Sequence, residues 1–252
     1  MITTGNKVVK TFAAIAAVTT ILAGPALAAD PQEYFYEEPV YDKAGAWYLR
    51  GDIGYVVTND YEVTYSGSAG EQEFLNEDFD DTWLIGVGIG YKFNSFFRAD
   101  LTLDYRANWE FEANTECIGT CPTTYNEEFG SASMTALLAN IYLDWDNSSS
   151  FTPYIGGGLG VAYVNLGKHF ARNVSGSYSG FDGNGNWNFA AAATAGVTFD
   201  VTQNFSIDAN YRYLWVGDVE SGESNTPGLT GTLTYNDMDL HEFRLGGRYT
   251  FY

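Results

Sequence analysis

The chain has few of the residues on which most catalytic and metal sites depend. Its 252 residues include two Cys, two His and six Pro, and 32 Asp and Glu outnumber 12 Lys and Arg. The net charge of −20 argues against nucleic acid as a partner. His169 and His241 complete no Ser/His/acid pattern, so we expect no enzyme and no cofactor.

Long apolar runs are also missing beyond the N-terminus. No later segment reaches the roughly eighteen apolar residues of a membrane-spanning helix. The chain is instead rich in glycine and aromatics, with 28 Gly, 19 Tyr, 17 Phe and 6 Trp. Aromatic side chains favour strands, and glycine suits places where strands crowd or bend. The composition therefore predicts an all-β protein, and any membrane insertion must use strands.

The N-terminus predicts a secretory signal peptide. Lys7 and Lys10 precede an apolar run over 11–27, and Ala26-Leu27-Ala28 has the small-x-small pattern of a cleavage site. We expect cleavage after Ala28. The mature chain then keeps ten Lys and Arg and has a net charge of −22.

From residue 46 onward, apolar and polar residues alternate with the period of a two-faced strand. In the first segment Trp47, Leu49 and Ile53 alternate with Arg50 and Asp52, so that one face is free of charge. Eight such segments follow one another: 47–57, 82–93, 97–111, 136–145, 153–164, 187–199, 205–215 and 242–251. They predict an eight-stranded antiparallel up-and-down β-barrel.

The connections between these segments alternate between long and short. Residues 59–81 and 112–128 form long connections, whereas 94–95 and 146–150 form short ones. Short periplasmic turns and long external loops are typical of transmembrane barrels of the bacterial outer membrane. The predicted organisation is a signal peptide over 1–28, a periplasmic acidic Tyr/Pro-rich segment over 29–45 and the barrel over 46–252, with both termini periplasmic and the long loops extracellular.

The positions of tryptophan indicate that the charge-free face is outward. Every tryptophan falls on that face near a strand end, where indole rings prefer the boundary between hydrocarbon and head groups. The predicted aromatic girdle comprises Trp47, Trp83, Trp109, Trp145, Trp187 and Trp215.

The opposite face carries equal numbers of bases and acids, as a narrow interior requires because unpaired buried charges are costly. The predicted lumen network comprises Arg50, Asp52, Lys92, Arg98, Asp100, Asp104, Arg106, Glu110, Asp144, Asp208, Arg212, Glu242, Arg244 and Arg248. Arg50-Gly51-Asp52 is therefore interpreted as part of this network rather than as an integrin-binding tripeptide. The glycines of 86–90 and 156–160 are interpreted as lumen-packing residues rather than phosphate loops.

Several segments resemble a known family. The acidic stretch over 30–41, the opening GAWYLRGDIGY over 45–55 and the closing FRLG over 243–246 resemble small OmpA-like and opacity-like surface-antigen barrels. The C-terminal Tyr249, Phe251 and Tyr252 resemble the signal read by the barrel-assembly machinery, although Tyr252 departs from the usual terminal Phe. The resemblance implies an outer-membrane location in a Gram-negative bacterium and surface exposure.

The predicted loops carry the remaining features. Cys117 and Cys121 are expected to form a disulfide in the second long loop, with metal binding as the minor alternative. Loop one carries eight acids and no base, which suggests either a solvated repulsive surface or divalent-cation binding beside lipopolysaccharide. No metal site is assigned from the sequence.

These features predict a structural and surface-interaction barrel with acidic external loops and a largely closed lumen. Its expected partners are outer-membrane lipid, lipopolysaccharide, the assembly machinery and host or surface ligands. An adhesin and a small-solute porin are the alternatives. If Arg98 and Arg212 plug the lumen, their replacement by alanine should raise conductance.

Overall fold

The structure is a computed structural model of the 252-residue chain. It describes residues 45–58, 61–68, 70–79, 81–117, 126–147, 149–173, 178–228 and 230–251. The predicted signal peptide with its Ala28 cleavage site, the periplasmic segment up to residue 44, Cys121 and Tyr252 lie outside these residues. Within the described part of the chain, no helix has the length and apolar character needed to cross a membrane.

The described residues form fourteen strands. In chain order they are β1 (Ala46–Thr58), β2 (Tyr61–Gly67), β3 (Gly70–Phe79), β4 (Thr82–Lys92), β5 (Phe97–Cys117), β6 (Asn126–Asp144), β7 (Phe151–Leu166), β8 (His169–Asn173), β9 (Tyr178–Phe181), β10 (Asn184–Asp200), β11 (Phe205–Val216), β12 (Val219–Glu220), β13 (Gly231–Asn236) and β14 (Met238–Phe251).

Eight of these strands close into the predicted barrel. β1, β4, β5, β6, β7, β10, β11 and β14 pair antiparallel in that order, and β14 returns to β1 with Trp47 opposite Phe251. Each barrel strand pairs with the barrel strands that precede and follow it along the chain, which is up-and-down connectivity. The eight-stranded antiparallel barrel predicted from the alternation is confirmed.

Beyond the barrel, the long connections build a second ring of strands, here called the outer tier. Its paired order is β12, β13, β2, β3, the end of β5, the start of β6, β8 and β9. Phe181 of β9 bridges to Ser224, and Ser224 N donates to Gly231 O of β13 at 2.9 Å. The segment around Ser224 therefore joins β9 to β13 and closes the outer tier into a ring.

The outer tier corrects several predicted boundaries. The connection expected over 112–128 is largely strand, because β5 continues to Cys117 and β6 begins at Asn126. The connection expected over 59–81 contains β2 and β3. Outside the bilayer the two faces of a strand no longer meet lipid and lumen, so the apolar and polar alternation that marked the membrane strands fades there.

A β-bulge in β5 interrupts the alternation between the inward and outward faces of that strand. The pairing with β6 shifts between Arg106, opposite Met134, and Trp109, opposite Ala132. One extra residue in β5 exchanges the two faces beyond it. The simple alternation that put Trp109 outward and Glu110 inward therefore does not continue across the bulge, and these two side chains lie outside the described ones.

Candidate functional site

The outward face of the barrel is apolar and has aromatic residues at both ends. Trp47 and Trp145 lie at the end of the turns and Trp83, Trp187 and Trp215 toward the outer tier. Between them, outward positions such as Ile85, Leu101 and Ile141 are 46–59% exposed. A soluble domain would bury such side chains, whereas a barrel in lipid presents them.

At the periplasmic end of the interior, Arg98 lies against two tyrosine rings. Its guanidinium carbon is 4.0 Å from the ring centre of Tyr142 and 4.4 Å from that of Tyr154. Its Nε donates to Asp144 Oδ1 at 2.9 Å, whereas its two Nη atoms are buried without a hydrogen-bond partner. The two aromatic faces stabilise the cation where hydrogen bonds do not.

The next layer of the interior is centred on Arg50. Its Nη2 donates to Asp52 Oδ1 at 2.7 Å and its Nη1 to Asp100 Oδ2 at 3.3 Å. Asp100 also accepts bonds from Tyr48 Oη at 3.0 Å and Asn140 Nδ2 at 2.8 Å. Arg50 and Asp52 are thus paired in the interior of the barrel.

Asp104 joins two arginines in the layer above. Arg212 Nη1 and Arg244 Nη2 donate to its two oxygens at 2.9 and 2.6 Å. Arg244 Nη1 also donates to Glu242 at 3.3 Å, and Arg106 Nε donates to Glu242 at 2.7 Å. These side chains are 0–3% exposed. Such a network tolerates burial only while its partners remain.

The predicted lumen residues thus lie together in most cases. Arg248 is half-buried, donates to Thr198 Oγ1 at 3.1 Å and lies 5.4 Å from the ring centre of Tyr48. Lys92 is half-buried at the periplasmic rim. Asp208 accepts from Tyr154 Oη at 2.5 Å and Thr198 Oγ1 at 3.0 Å. Glu110 is the member whose side chain lies outside the described set.

Above these charges lies an apolar layer that the sequence pattern did not predict. The outer half of the barrel interior is filled by fully buried side chains that include Leu138, Leu214, Leu240 and Val56. The same buried cluster continues into the outer tier, where its members are Val63, Tyr65, Phe181, Val219, Leu233 and Tyr235. Within the described residues, the interior thus holds paired charges on the periplasmic side and an apolar core toward the outer tier.

The barrel geometry agrees with comparisons to known proteins. Residues 14–251 match the model of the outer membrane protein beta-barrel domain. The chain belongs to this family. It is 32% identical to an uncharacterised protein of Brucella abortus, over 94% of this chain and 98% of that protein. It is 29% identical to the outer membrane protein PagN of Salmonella typhimurium, over 81% and 89%.

This chain is 26% identical to a candidate adhesin of Rickettsia akari, over 79% of this chain and 86% of that protein. Among solved structures, the outer membrane protein OprG of Pseudomonas aeruginosa aligns with a TM-score of 0.51 at 15% identity. That alignment covers 82% of this chain and 97% of OprG. The family and the fold establish a location in the Gram-negative outer membrane.

Outer-membrane barrels have short periplasmic turns and long extracellular loops, so the long connections that build the outer tier are expected outside the cell. The sequence of the tier is strongly acidic. Three neighbouring tier segments carry nine acids and no Lys or Arg: Glu71, Glu73, Glu77 and Asp78 in β3, Glu110, Glu112 and Glu116 in β5, and Glu127 and Glu128 in β6. Asp78 stands directly opposite Glu112 in the register. Like charges opposite each other destabilise a strand pair, so packing alone does not account for this pattern.

The remaining predicted features concern the C-terminal strand, the disulfide, a metal site and the histidines. Tyr249 and Phe251 lie in the last strand on its outward face, 49% and 48% exposed. The side chain of Cys117 is not among the described ones, so its disulfide with Cys121 stays a prediction. Among the described residues, no group of three His, Cys, Asp or Glu is placed to hold a metal ion. His241 Nδ1 lies 2.6 Å from Tyr211 Oη on the outer wall.

The glycine interpretation needs one correction. Gly156, Gly158 and Gly160 face a crowded interior, where an added Cβ on Gly156 would approach Ile141 O to 2.8 Å. Gly157 faces outward, and an added Cβ there would come no nearer than 3.7 Å to Ala192 O. Because successive residues of a strand face opposite sides, the run could not be lumen-packing throughout.

Proposed function

We propose that this protein is a surface-interaction barrel whose lumen is closed and whose outer tier contacts ligands at the cell surface. The proposal of a closed lumen rests on the two sets of buried side chains in the barrel interior, the paired charges and the apolar core. An eight-stranded barrel has an interior just wide enough for side chains to fill it. The arginine–carboxylate pairs on one side and the apolar core on the other argue against a continuous aqueous path through the described part of the barrel, and so against the alternative function, a small-solute porin.

The outer tier supports the interaction role. Loops that only connect membrane strands have no need of a closed ring of strands with its own buried core, whereas a binding surface benefits from such pre-organisation. The nine acids of β3, β5 and β6 favour partners that carry positive charge and disfavour polyanions. The candidate adhesin among the relatives is compatible with this role.

Charge reversal in β3 tests the proposal. We expect bacteria displaying the full-length protein to adhere to epithelial cells more than bacteria carrying the empty vector. In the triple variant E71K/E73K/E77K, adhesion above the empty-vector level is expected to fall about tenfold. The reason is that the electrostatic field that attracts a cationic partner is reversed. Adhesion is counted at equal surface expression of the two proteins.

Asp146→Lys is the matched control, since it reverses a charge in a short periplasmic turn. It should leave adhesion unchanged. Adhesion no greater than that of the empty-vector strain would refute a surface-interaction role. An excess that survives the triple variant would show that the acidic strands are not the contact surface.

A further inference from the structure

A short segment between β11 and β13 covers part of the apolar core. Residues 217–222, here called the strap, contain the two-residue strand β12. On one side the strap pairs with β13, where Val219 stands opposite Tyr235 and Ser221 N donates to Leu233 O at 2.8 Å. Val219 is fully buried in the apolar core. The strap therefore closes that core from the side.

The other side of the strap faces β10 across a seam that has no sheet pairing among the described residues. The pairing of β10 with β11 ends at Ala190, opposite Val216. The pairing of β10 with β7 continues further, to Asn184 opposite Leu166. Beside the strap, β10 is thus paired on one side, whereas the neighbouring seams of the ring are ladders of backbone hydrogen bonds.

Two asparagine side chains span this seam, and they are here called the latch. Asn184 Nδ2 and Asn186 Nδ2 both donate to Glu220 O, at 3.2 and 2.7 Å. Asparagine is depleted in strands, so strand propensity does not account for its use at alternate positions of β10. The two bonds to one backbone carbonyl give these residues a role in holding the strap.

A third asparagine on the same face of β10 disfavours the closed strap. Asn188 Nδ2 is buried and has no hydrogen-bond partner among the described residues. A buried donor without a partner destabilises the state that buries it. The latch and the burial of Val219 favour a closed strap, whereas hydration of the Asn188 amide favours an open one. The opposed contributions reduce the free-energy difference between the two states.

Glycines stand at both ends of the strap, where backbone bonds attach it. Gly217 N donates to Phe189 O at 3.1 Å, and Gly222 N donates to Asp182 O at 2.9 Å. At Gly222 the two backbones are so close that an added Cβ would come within 2.5 Å of Asp182 O. The strap is therefore a bounded element, and between its two attachments the latch joins it to β10.

We propose that the strap is a lid, which opens at its seam with β10 and uncovers the apolar core. Opening breaks the two latch bonds, withdraws Val219 from the core and lets water reach the amide of Asn188. β13 keeps its pairing with β2, and the acidic strands β3, β5 and β6 take no part. The lid is thus a conformational device separate from the surface interaction proposed above.

Hydrogen exchange of the full-length protein, refolded in lipid vesicles and followed by mass spectrometry, tests the lid. In the wild type, amides of 218–221 should exchange about tenfold faster than those of 231–236, because a local opening needs less free energy than loss of the tier. The double variant N184A/N186A should accelerate exchange over 218–221 by about a further tenfold, since the closed state loses two hydrogen bonds. Exchange over 231–236 should not change.

Asn236→Ala is the matched control for the latch. Its amide donates to Thr64 Oγ1 at 3.0 Å elsewhere in the outer tier, so this variant should leave exchange over 218–221 as in the wild type. Asn188→Leu should have the opposite effect to the latch variant. Leucine has a similar size and no buried donor, so exchange over 218–221 should slow about fivefold.

Three results would overturn the inference. Equal exchange over 218–221 and 231–236 in the wild type would show that the strap opens only with the whole tier. Unchanged exchange in N184A/N186A would show that the asparagines do not hold the strap. Faster exchange in Asn188→Leu than in the wild type would show that Asn188 stabilises the closed state.

Discussion

Replacing Asp104 with alanine is expected to lower the free energy of unfolding by about 3–5 kcal/mol, because two buried arginines lose their shared partner. Arg212 and Arg244 both donate to this carboxylate, and all three side chains are fully buried. Urea unfolding of the refolded barrel in lipid vesicles measures the change. If Asp104→Ala does not refold, Asp104→Asn replaces it in the measurement. This variant keeps the size of the side chain and removes the charge, so it should also be less stable than the wild type.

Asp81→Ala provides the control for that measurement. Asp81 is also a carboxylate with a hydrogen-bond partner, Tyr55, but it is exposed at the outer rim. Its loss should cost less than about 1 kcal/mol, as is typical of exposed polar contacts. Equal effects of the two substitutions would contradict the assignment of Asp104 as the centre of a buried network.

Tyr235→Ala is expected to loosen the outer tier while leaving the membrane strands intact. Tyr235 is 1% exposed and belongs to the apolar core that joins the tier to the barrel interior. Truncation of a buried aromatic residue costs about 3–5 kcal/mol, and the loss falls on β13 and its neighbour β2. Hydrogen exchange should therefore show a large fall in amide protection over 61–67 and 231–236, with β7 and β10 unchanged.

Phe170→Ala is the matched control, because Phe170 is an aromatic residue of the same tier that is 44% exposed. It should leave protection in β2 and β13 as in the wild type. Unchanged exchange in Tyr235→Ala would mean that the tier does not depend on its core. Loss of protection throughout the barrel would mean that the tier and the barrel unfold as one unit.

The membrane part of the fold could be predicted from sequence because lipid and lumen impose opposite demands on successive residues. Leu49 and Arg50, or Leu103 and Asp104, differ so sharply that the phase of each strand is readable. The paired charges follow from the same alternation, since a narrow interior accepts arginine only with a partner. The individual pairs could not be predicted, because register between strands decides that Asp104 meets Arg212 and Arg244.

The outer tier and the apolar core could not be predicted in the same way. Above the bilayer both faces of a strand meet either water or protein, so the contrast between faces disappears. A weak signal was present where alternation gives way to continuous apolar runs, as in 83–85, 136–139 and 213–216. Such runs are typical of strands that are covered on both faces, and here the inner cover is the apolar core around Leu84, Leu138 and Leu214.

The apolar core also changes what truncation of Arg98 is expected to do. Arg98 closes only the periplasmic end of the interior, and the layers around Arg50, Asp104 and Leu138 lie above it. Alanine at this position removes one layer and leaves the others filled. The expectation that this substitution raises conductance is therefore replaced by the expectation that it does not.

Single-channel recording in a planar bilayer tests the closed lumen most directly. The refolded full-length protein is inserted beside Arg98→Ala, and current is recorded at both polarities in 1 M KCl, roughly the ionic strength at which surface charges are screened. We predict that the wild type and Arg98→Ala both remain silent. Steady openings of the wild type would contradict the account and would make the paired charges of the interior the lining of a channel.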